Sequence, residues 1–281
     1  MKPIQLFLLT LLAMLAFAGN SLLCRAALKH LAVDAATFTF IRIASGAVAL
    51  SMIMQLRRGP VVKAGSWISA GALFAYAATF SFAYNTLAAG TGALLLFGAV
   101  QATMILWGWR NGERLSVAQI FGLVLALGGL VWLLFPGLSA PPLGASLLML
   151  SAGIAWGIYS LRGKGTRNPA ATTAGNFLRA VPFAAGLALI FLPWAHVDRA
   201  GLLYGVLSGA IASGAGYIIW YAALPHLKAA SAATVQLSVP VLTASGGILL
   251  LGEVISLRFL LASVAILGGI ALVVLEKRPA G

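Results

Sequence analysis

The tripeptide Phe40-Ile41-Arg42 returns 137 residues later as Phe177-Leu178-Arg179. The dipeptide Gly112-Glu113 returns as Gly252-Glu253, at an offset of 140 residues. Only 8% of the chain is charged, so charged residues that recur at nearly constant offsets indicate a repeat better than apolar matches do. The sequence therefore predicts two copies of one unit, in residues 1–137 and 138–281.

The composition is that of a membrane protein. Of the 281 residues, 61% are hydrophobic. A soluble domain carries about 25% charged residues, so this chain has too few to cover a surface that faces water. Its net charge of +13 would suggest nucleic acid in a soluble protein. Here the bases lie in short connections between apolar runs, where membrane topology explains them and no nucleic-acid partner is expected. The single cysteine, Cys24, excludes an internal disulfide.

Ten apolar segments are long enough to cross a bilayer, which requires about 20 residues. The connections between them are short and leave no room for a soluble domain. The predicted spans are residues 3–24, 34–56, 66–86, 90–109, 117–135, 142–161, 172–193, 200–224, 229–251 and 257–275. The predicted fold is therefore an all-α polytopic membrane protein.

The lysine and arginine residues between the spans predict the orientation. With the N-terminus inside, twelve of these bases lie on the inner side and four on the outer side. Positively charged connections favour the cytoplasm, so both termini are predicted to be cytoplasmic, in a bacterial inner membrane.

Because five helices is an odd number, the second unit would enter the membrane from the opposite side. Inverted repeats are a common plan for transporters, with the substrate site near the midplane between the halves. One alternative remains, since Lys2, the apolar stretch and Ala16-Phe17-Ala18 are also typical of a cleavable signal peptide. Cleavage would leave nine spans, and the first helix would then be missing from the repeat.

These features together resemble the drug/metabolite transporter superfamily, and within it the EamA-type branch. The resemblance rests on five plus five helices, an aromatic-X-Arg in the second helix of each half, and Gly-Glu opening each half's last connection. It covers the whole chain, whose course is similar to the YddG-type exporters of aromatic amino acids. It implies alternating access through a cavity lined by helices one, three, four, six, eight and nine. Ala155-Trp156-Gly157 departs from its counterpart Ala18-Gly19-Asn20, and Pro240 has no counterpart.

Polar and aromatic side chains on these helices are the candidate substrate residues, because polar groups inside a bilayer are costly. The candidates are Asn20, Tyr76, Thr79, Gln101, Trp156, Tyr159, Tyr217, Trp220, Gln236 and Ser238. Hydrogen bonding between helices explains the two glutamines equally well. Pro240 frees a carbonyl one turn earlier and is predicted to bend helix nine.

The charged repeat residues have two interpretations. Arg42 and Arg179 either hold a carboxylate bidentately or tie the second helix to its own repeat. The structural role is favoured, because both halves carry the arginine whereas a substrate site is shared. Glu113 and Glu253 are predicted to satisfy free N–H groups where the following helix starts.

No acid or histidine is predicted at mid-membrane, where a proton relay would need one. The sequence also lacks any pattern of nucleophile and base, metal ligands or phosphate-binding loop, so no enzyme, cofactor, metal or ATP coupling is predicted. The prediction is a secondary exporter of amino acids and related metabolites, working by alternating access. A multidrug or other small-metabolite carrier and a non-transporting scaffold are the alternatives. The oligomeric state stays open, and a monomer is compatible with the sequence.

Overall fold

A computed structural model describes residues 2–30, 32–56, 64–112, 115–137, 139–163, 166, 168–227 and 235–275. This part of the chain is helical and contains no strand, only one isolated bridge between Val33 and Val197. The helices are α1 (Pro3–Lys29), α2 (Ala35–Leu56), α3 (Trp67–Tyr84), α4 (Ala89–Arg110), α5 (Val117–Leu134), α6 (Leu143–Gly163), α7 (Pro169–Ile190), α8 (Arg199–His226), α9 (Ser238–Leu251) and α10 (Leu257–Leu275).

Eight of the described helices are long and apolar enough to cross a membrane, all except α3 and α9. The polar side chains of Tyr76, Thr79, Ser81 and Tyr84 lower the hydropathy of α3. Helix α9 has 14 residues, and residues 228–234 before it lie outside the described part. The prediction of an all-α, multi-pass membrane protein is confirmed, whereas the count of ten spans stays a prediction.

Helix α1 runs five residues further than predicted, to Lys29. The basic residues Arg25 and Lys29 lie beyond the predicted end of the span, and both have partners in the structure. Arg25 forms an ion pair with Glu253, and the Lys29 ammonium donates to the Leu251 carbonyl oxygen at 2.6 Å. A base with such partners can remain on a helix at the edge of the membrane, so the helix continues.

Helix α8 is not uniform. It is α-helical over Arg199–Val206, π-helical over Leu207–Ala215, α-helical again over Gly216–Ala223, and ends in the 3₁₀ turn Leu224–His226. The π-helical segment contains Ser208-Gly209 and, five residues later, Ser213-Gly214, which matches the i to i+5 hydrogen bonding of this helix type. A methyl group at Gly209 would overlap the Arg42 carbonyl, so the glycine allows α2 to pack closely here.

Helices from the two predicted units pack against each other throughout the bundle. Helix α2 packs on α7, α4 on α9 and α5 on α10. Helix α6 contacts α3 and α4, as α1 contacts α8 and α9. Each pairing has a counterpart when α1–α5 are exchanged for α6–α10, as two units related by a two-fold axis would require. The inverted relation itself stays a prediction.

Contacts between the two units hold both ends of the bundle together. The outer end, named from the predicted orientation, is where α1 ends. There Asp198 N donates to the Ala32 carbonyl at 2.8 Å, and His196 N donates to the Asp34 carboxylate at 3.0 Å. At the inner end, where α3 begins, Ser66 N donates to Asn176 Oδ1 at 2.9 Å.

Candidate functional site

A small cavity lies at the centre of the bundle, between helices of both units. Its volume is about 20 Å³, room for about one water molecule. Its lining residues are Phe17, Asn20, Ser21, Tyr76, Phe80, Leu96, Phe97, Trp156, Ala212 and Tyr217. Four of the predicted substrate residues, Asn20, Tyr76, Trp156 and Tyr217, therefore meet at one place.

A chain of hydrogen bonds runs beside this cavity. Ser208 Oγ donates to Asn20 Oδ1 at 2.6 Å, and Asn20 Nδ2 donates to the Tyr76 hydroxyl at 3.3 Å. Arg42 Nη2 donates to the same hydroxyl at 2.9 Å, and Arg42 Nε donates to Ser213 Oγ at 3.2 Å. The chain joins α1, α2 and α3 to the π-helical segment of α8, so it crosses between the two units.

Aromatic rings form most of the rest of the wall. The centroid of the Trp156 ring lies 4.9 Å from that of Tyr76 and 4.9 Å from that of Tyr217. Trp156 also stacks on Tyr159 at 5.5 Å, and Phe17 meets it edge-on at 6.3 Å. Such pairs contribute about 0.5–1.5 kcal/mol each beyond the area they bury. An apolar or aromatic side chain of a ligand would find the same ring faces.

Arg42 lies directly behind the cavity wall and is 1% exposed. Its guanidinium carbon is 4.9 Å from the Tyr76 ring centroid and 5.0 Å from that of Phe80. Both rings offer the negative face that attracts a cation. The guanidinium is thus held among neutral groups only, so far as the described residues show.

The other predicted residues lie away from the cavity lining. Thr79 Oγ1 donates to the Ala75 carbonyl at 2.7 Å, and Ser238 Oγ donates to the Val235 carbonyl at 2.6 Å, so both hydroxyls bond to their own backbone. Gln101 is buried within α4 at 3% exposure, and Gln236 is half-buried just before α9. A hydroxyl that hydrogen-bonds to a nearby backbone carbonyl needs no other partner, so the side chain need not face the cavity.

Two further aromatic candidates lie one layer behind the cavity. Tyr159 accepts a long hydrogen bond of 3.5 Å from Asn176 Nδ2. The Trp220 ring meets Phe17 edge-on at 6.0 Å. Pro240 lies in the first turn of α9, where its missing N–H costs no helical hydrogen bond. The bend predicted near Gln236 stays a prediction, because residues 229–234, the part of predicted helix nine before that point, lie outside the described part.

Glu253 acts on a different helix from the one predicted. Its Oε1 accepts from Arg25 Nε at 3.0 Å, and its Oε2 accepts from the backbone N–H of Ala89, the first residue of α4, at 2.7 Å. The start of α10 is capped instead by Ser256, whose Oγ accepts from Phe259 N at 3.1 Å. The prediction that Glu253 caps its own following helix is therefore wrong, because a nearer hydroxyl takes that position. Glu113 lies outside the described residues.

Arg179 is held by backbone carbonyls. Its Nη1 donates to Ala64 O at 2.6 Å and to Gly175 O at 2.9 Å. Ala64 belongs to the connection before α3, so the arginine ties α7 to the other unit. The predicted structural role was to tie α7 to its own repeat, and the contact with Ala64 adds a partner outside it.

Sequence reasoning missed Ser208 and Ser213, the second-unit partners of Asn20 and Arg42. The sequence does repeat the pair Ser-Gly five residues apart, at Ser208-Gly209 and Ser213-Gly214. A spacing of five does not match the period of an ordinary α-helix, so it was not recognised. Phe17 and Phe80 were also missed, since apolar rings in an apolar span carry no signal of their own.

A second, larger cavity lies between α4, α5, α6 and α10, with a volume of about 540 Å³. Apolar side chains line almost all of it, and Arg110 is the one charged residue among the described lining residues. Its described lining offers only Thr103 and Trp107 as further hydrogen-bonding side chains, so it is the weaker candidate for a polar substrate. In the described part of the chain, no three His, Cys, Asp or Glu residues are close enough to hold a metal ion.

Comparison with known proteins gives the family. Residues 143–275 match the EamA-like transporter family. An uncharacterized protein of Pseudomonas aeruginosa is 60% identical over 271 residues, which cover 96% of this chain and 94% of that protein. A protein of known crystal structure superposes with a TM-score of 0.66 over 95% of this chain and 96% of its own, at 19% identity, which shows a shared fold. The chain therefore contains an EamA-like transporter family domain over residues 143–275, which places it in the drug/metabolite transporter superfamily, a superfamily of membrane transporters.

Proposed function

We propose that this transporter exports amino acids, aromatic ones and other neutral ones, together with related metabolites. The observation that carries the proposal is the central cavity, which six aromatic rings line and beside which a chain of amide, hydroxyl and guanidinium groups runs. Such polar groups suit the two charged ends of an amino acid, and the rings of Trp156 and Tyr217 suit its side chain.

The proposed architecture is ten spans in two inverted units, residues 1–137 and 138–281. The exchange symmetry of the helix contacts supports it, and so does the recurrence of Phe-X-Arg and Gly-Glu. The excess of bases on one side supports cytoplasmic termini and a bacterial inner membrane. The packing of α1, which supplies Asn20 to the centre, favours an integral first helix over a signal peptide.

The proposed mechanism is alternating access. With a volume of about 20 Å³, the central cavity is too small for an amino acid and must widen to admit one. Opening the outer end breaks the Arg25–Glu253 ion pair and the contacts of Asp34 and Asp198. Opening the inner end breaks the Ser66–Asn176 contact and the Arg179–Ala64 contact. Each set joins the two units, so a rocking motion of one unit against the other would break one set while keeping the other.

Transport is proposed to follow the substrate gradient, without ATP. The three described acids, Asp34, Asp198 and Glu253, lie at the ends of helices and leave the centre without a carboxylate to carry a proton. Collapsing an imposed proton gradient should therefore change the transport of a neutral zwitterion little.

Uptake of labelled phenylalanine, leucine and glutamate into proteoliposomes tests the proposal, with and without a proton gradient. Saturable, competable transport of phenylalanine and leucine in both conditions is expected. Transport of lipophilic cations without amino acids would instead support the multidrug carrier. No transport of any compound by folded protein would support the scaffold.

A further inference from the structure

Arg42 carries a positive charge that the described part of the protein does not neutralise. Its hydrogen bonds go to the neutral hydroxyls of Tyr76 and Ser213. The acids of the described residues are engaged elsewhere, Asp34 with Thr37, Asp198 with Gly201 and Glu253 with Arg25. An unpaired charge in a membrane interior is strongly unfavourable, so its presence calls for a counter-charge at some stage of the protein's working cycle.

The guanidinium also has spare hydrogen-bonding capacity. Its Nε and Nη2 atoms have acceptors, whereas Nη1 is fully buried and has none among the described residues. Nearly all buried polar groups in proteins are satisfied, and a specific exception requires an explanation. A planar fork of N–H groups with an unused nitrogen matches the geometry of a carboxylate, which accepts two parallel hydrogen bonds.

The position of Arg42 links this donor to the cavity. Tyr76 and Phe80, whose rings flank the guanidinium, both line the cavity. Asn20 lines it too and bonds to the same Tyr76 hydroxyl as Arg42. The guanidinium therefore lies against side chains that themselves line the cavity, and side chains can change rotamer.

The equivalent arginine of the second unit argues against a purely structural explanation. Arg179 uses its Nη1 atom for two backbone carbonyls, those of Ala64 and Gly175. That is how an anchoring arginine in a membrane protein is satisfied. Arg42 occupies the same place in the repeat, yet its Nη1 has no such acceptor in the described part of the chain.

We infer that Arg42 is the anion subsite of the transporter and binds the carboxylate of the substrate when the central cavity widens. The inference rests on the proposed function, that the cavity carries amino acids, and it narrows the substrate class. A carboxylate is required for tight binding, whereas an α-amino group is not. Aromatic acids without an amino group should be ligands, and amines or amides without a carboxylate should be poor ones.

Four related compounds test this in proteoliposomes: phenylalanine, 3-phenylpropionate, phenylalaninamide and phenethylamine. They share the ring and differ only in the carboxylate and the amine. For the wild type, the two carboxylates should compete with labelled phenylalanine about ten- to a hundredfold better than the amide and the amine, as expected for hydrogen bonds to a charged group.

Substitutions then assign the effect to one residue. Arg42→Gln removes the charge and should abolish the preference for carboxylates, while Arg42→Lys should retain part of it. Arg179→Gln is the matched control and should leave the ratio unchanged, even where it lowers the amount of folded protein. Thermal unfolding in detergent identifies variants that do not fold.

Each failure points to a different conclusion. Wild-type protein that moves phenylalanine but binds its amide equally well overturns the anion subsite and leaves the proposed function standing. The same holds if folded Arg42→Gln loses all four compounds in equal proportion. Wild-type protein that neither moves nor binds phenylalanine overturns the proposed function itself. If Arg42→Gln does not fold, the competition measured with the wild type and with Arg42→Lys decides whether Arg42 is the anion subsite.

Discussion

The surroundings of Arg42 and of Arg179 differ although the same motif precedes both. Around Arg42, the π-helical segment of α8 packs on α2 and brings a serine hydroxyl to the guanidinium. Around Arg179, the connection before α3 brings a backbone carbonyl. Hydroxyls serve Nε and Nη2 of Arg42 and leave Nη1 without an acceptor among the described residues, whereas Nη1 of Arg179 donates to two backbone carbonyls. Repeated sequence therefore need not mean repeated function, because the elements that supply the partners differ in local structure between the units, as the π-helical segment of α8 differs from the α-helical α3.

Replacing each arginine by methionine should give the largest difference between the two sites in stability and transport. Arg42→Met removes a charge without a counter-ion among the described residues, so the melting temperature should hold or rise. Transport of phenylalanine should fall by about ten- to a hundredfold, the loss expected for hydrogen bonds to a charged group. Arg179→Met should instead lower stability, by about 1–3 kcal/mol, because the Ala64 carbonyl loses a charged donor. Initial rates and thermal unfolding measure both, and a larger stability loss at Arg42 than at Arg179 would contradict the comparison.

A second difference between the units concerns Trp156. Under the offset of 137 residues its counterpart is Gly19, beside which a methyl group would meet nothing within 4 Å. At this position the second unit therefore contributes the large ring of Trp156, whereas the first unit has open space beside Gly19. Trp156→Ala should weaken aromatic substrates by about 1–3 kcal/mol, or roughly 5- to 150-fold, through loss of a ring face.

Competition by phenylalanine and by alanine measures this effect, which should be large for the first and small for the second. Trp107→Ala is the matched control, since Trp107 is 54% exposed near the end of α4 and outside the central cavity. An equal loss for both amino acids would mean that Trp156 only supports the fold.

The repeated glutamates offer a third comparison, since Glu253 lies at the outer end whereas the connection that contains Glu113 is predicted at the inner end. Glu253 joins Arg25 to the start of α4, so Glu253→Gln weakens a contact that holds this end closed. Cys24, the only cysteine in the chain, is fully buried one residue before Arg25 and serves as a natural reporter. Its labelling by a water-soluble maleimide should become about tenfold faster if closure is weakened by about 1.4 kcal/mol.

Glu113→Gln is the matched control for this experiment, since it changes the repeat-equivalent residue. Labelling should stay at the wild-type rate in this variant. Unchanged labelling in Glu253→Gln would show that the ion pair does not limit opening of the outer end.

The smallest effect concerns Asp34. Burial opposes its ionisation, but hydrogen bonds from Thr37 and His196 outweigh burial and hold the pKa of this carboxyl below its ordinary value of 3.8. A lowered folded-state pKa contributes stability that is present above the ordinary pKa and is lost as pH falls through the folded-state value. The melting temperature should therefore lose this contribution only at pH values below about 3.8.

Asp34→Asn should remove that acid-dependent part while leaving the profile between pH 5 and 8 parallel to that of the wild type. Melting curves across pH, with Asp198→Asn as the matched control at the neighbouring connection, measure the difference. If the melting temperature of Asp34→Asn falls with acid as it does in the wild type, Asp34 does not stabilise the outer end.

The sequence predicted the class of fold and four of the residues at the cavity. Hydropathy and the positive charges between spans are local properties of a chain in a bilayer, so they can be read without knowing any contact. Asn20, Tyr76, Trp156 and Tyr217 were found because polar and large aromatic side chains inside a span are conspicuous. Thr79 and Ser238 were conspicuous for the same reason, but their hydroxyls bond to their own helix or turn, an option open to any serine or threonine.

Only the tertiary structure distinguished the two arginines, and it moved Glu253 from the helix it precedes to the start of α4. Both outcomes depend on which groups of distant helices come within about 3 Å, the length of a hydrogen bond. Sequence spacing specifies neighbours on one helix, whereas Arg42 and Ser213 are 171 residues apart and Arg25 and Glu253 are 228 apart. Partners at such separations are set by how the helices pack. The sequence therefore shows that Arg42 is charged, whereas only the fold shows that no described residue supplies a counter-charge.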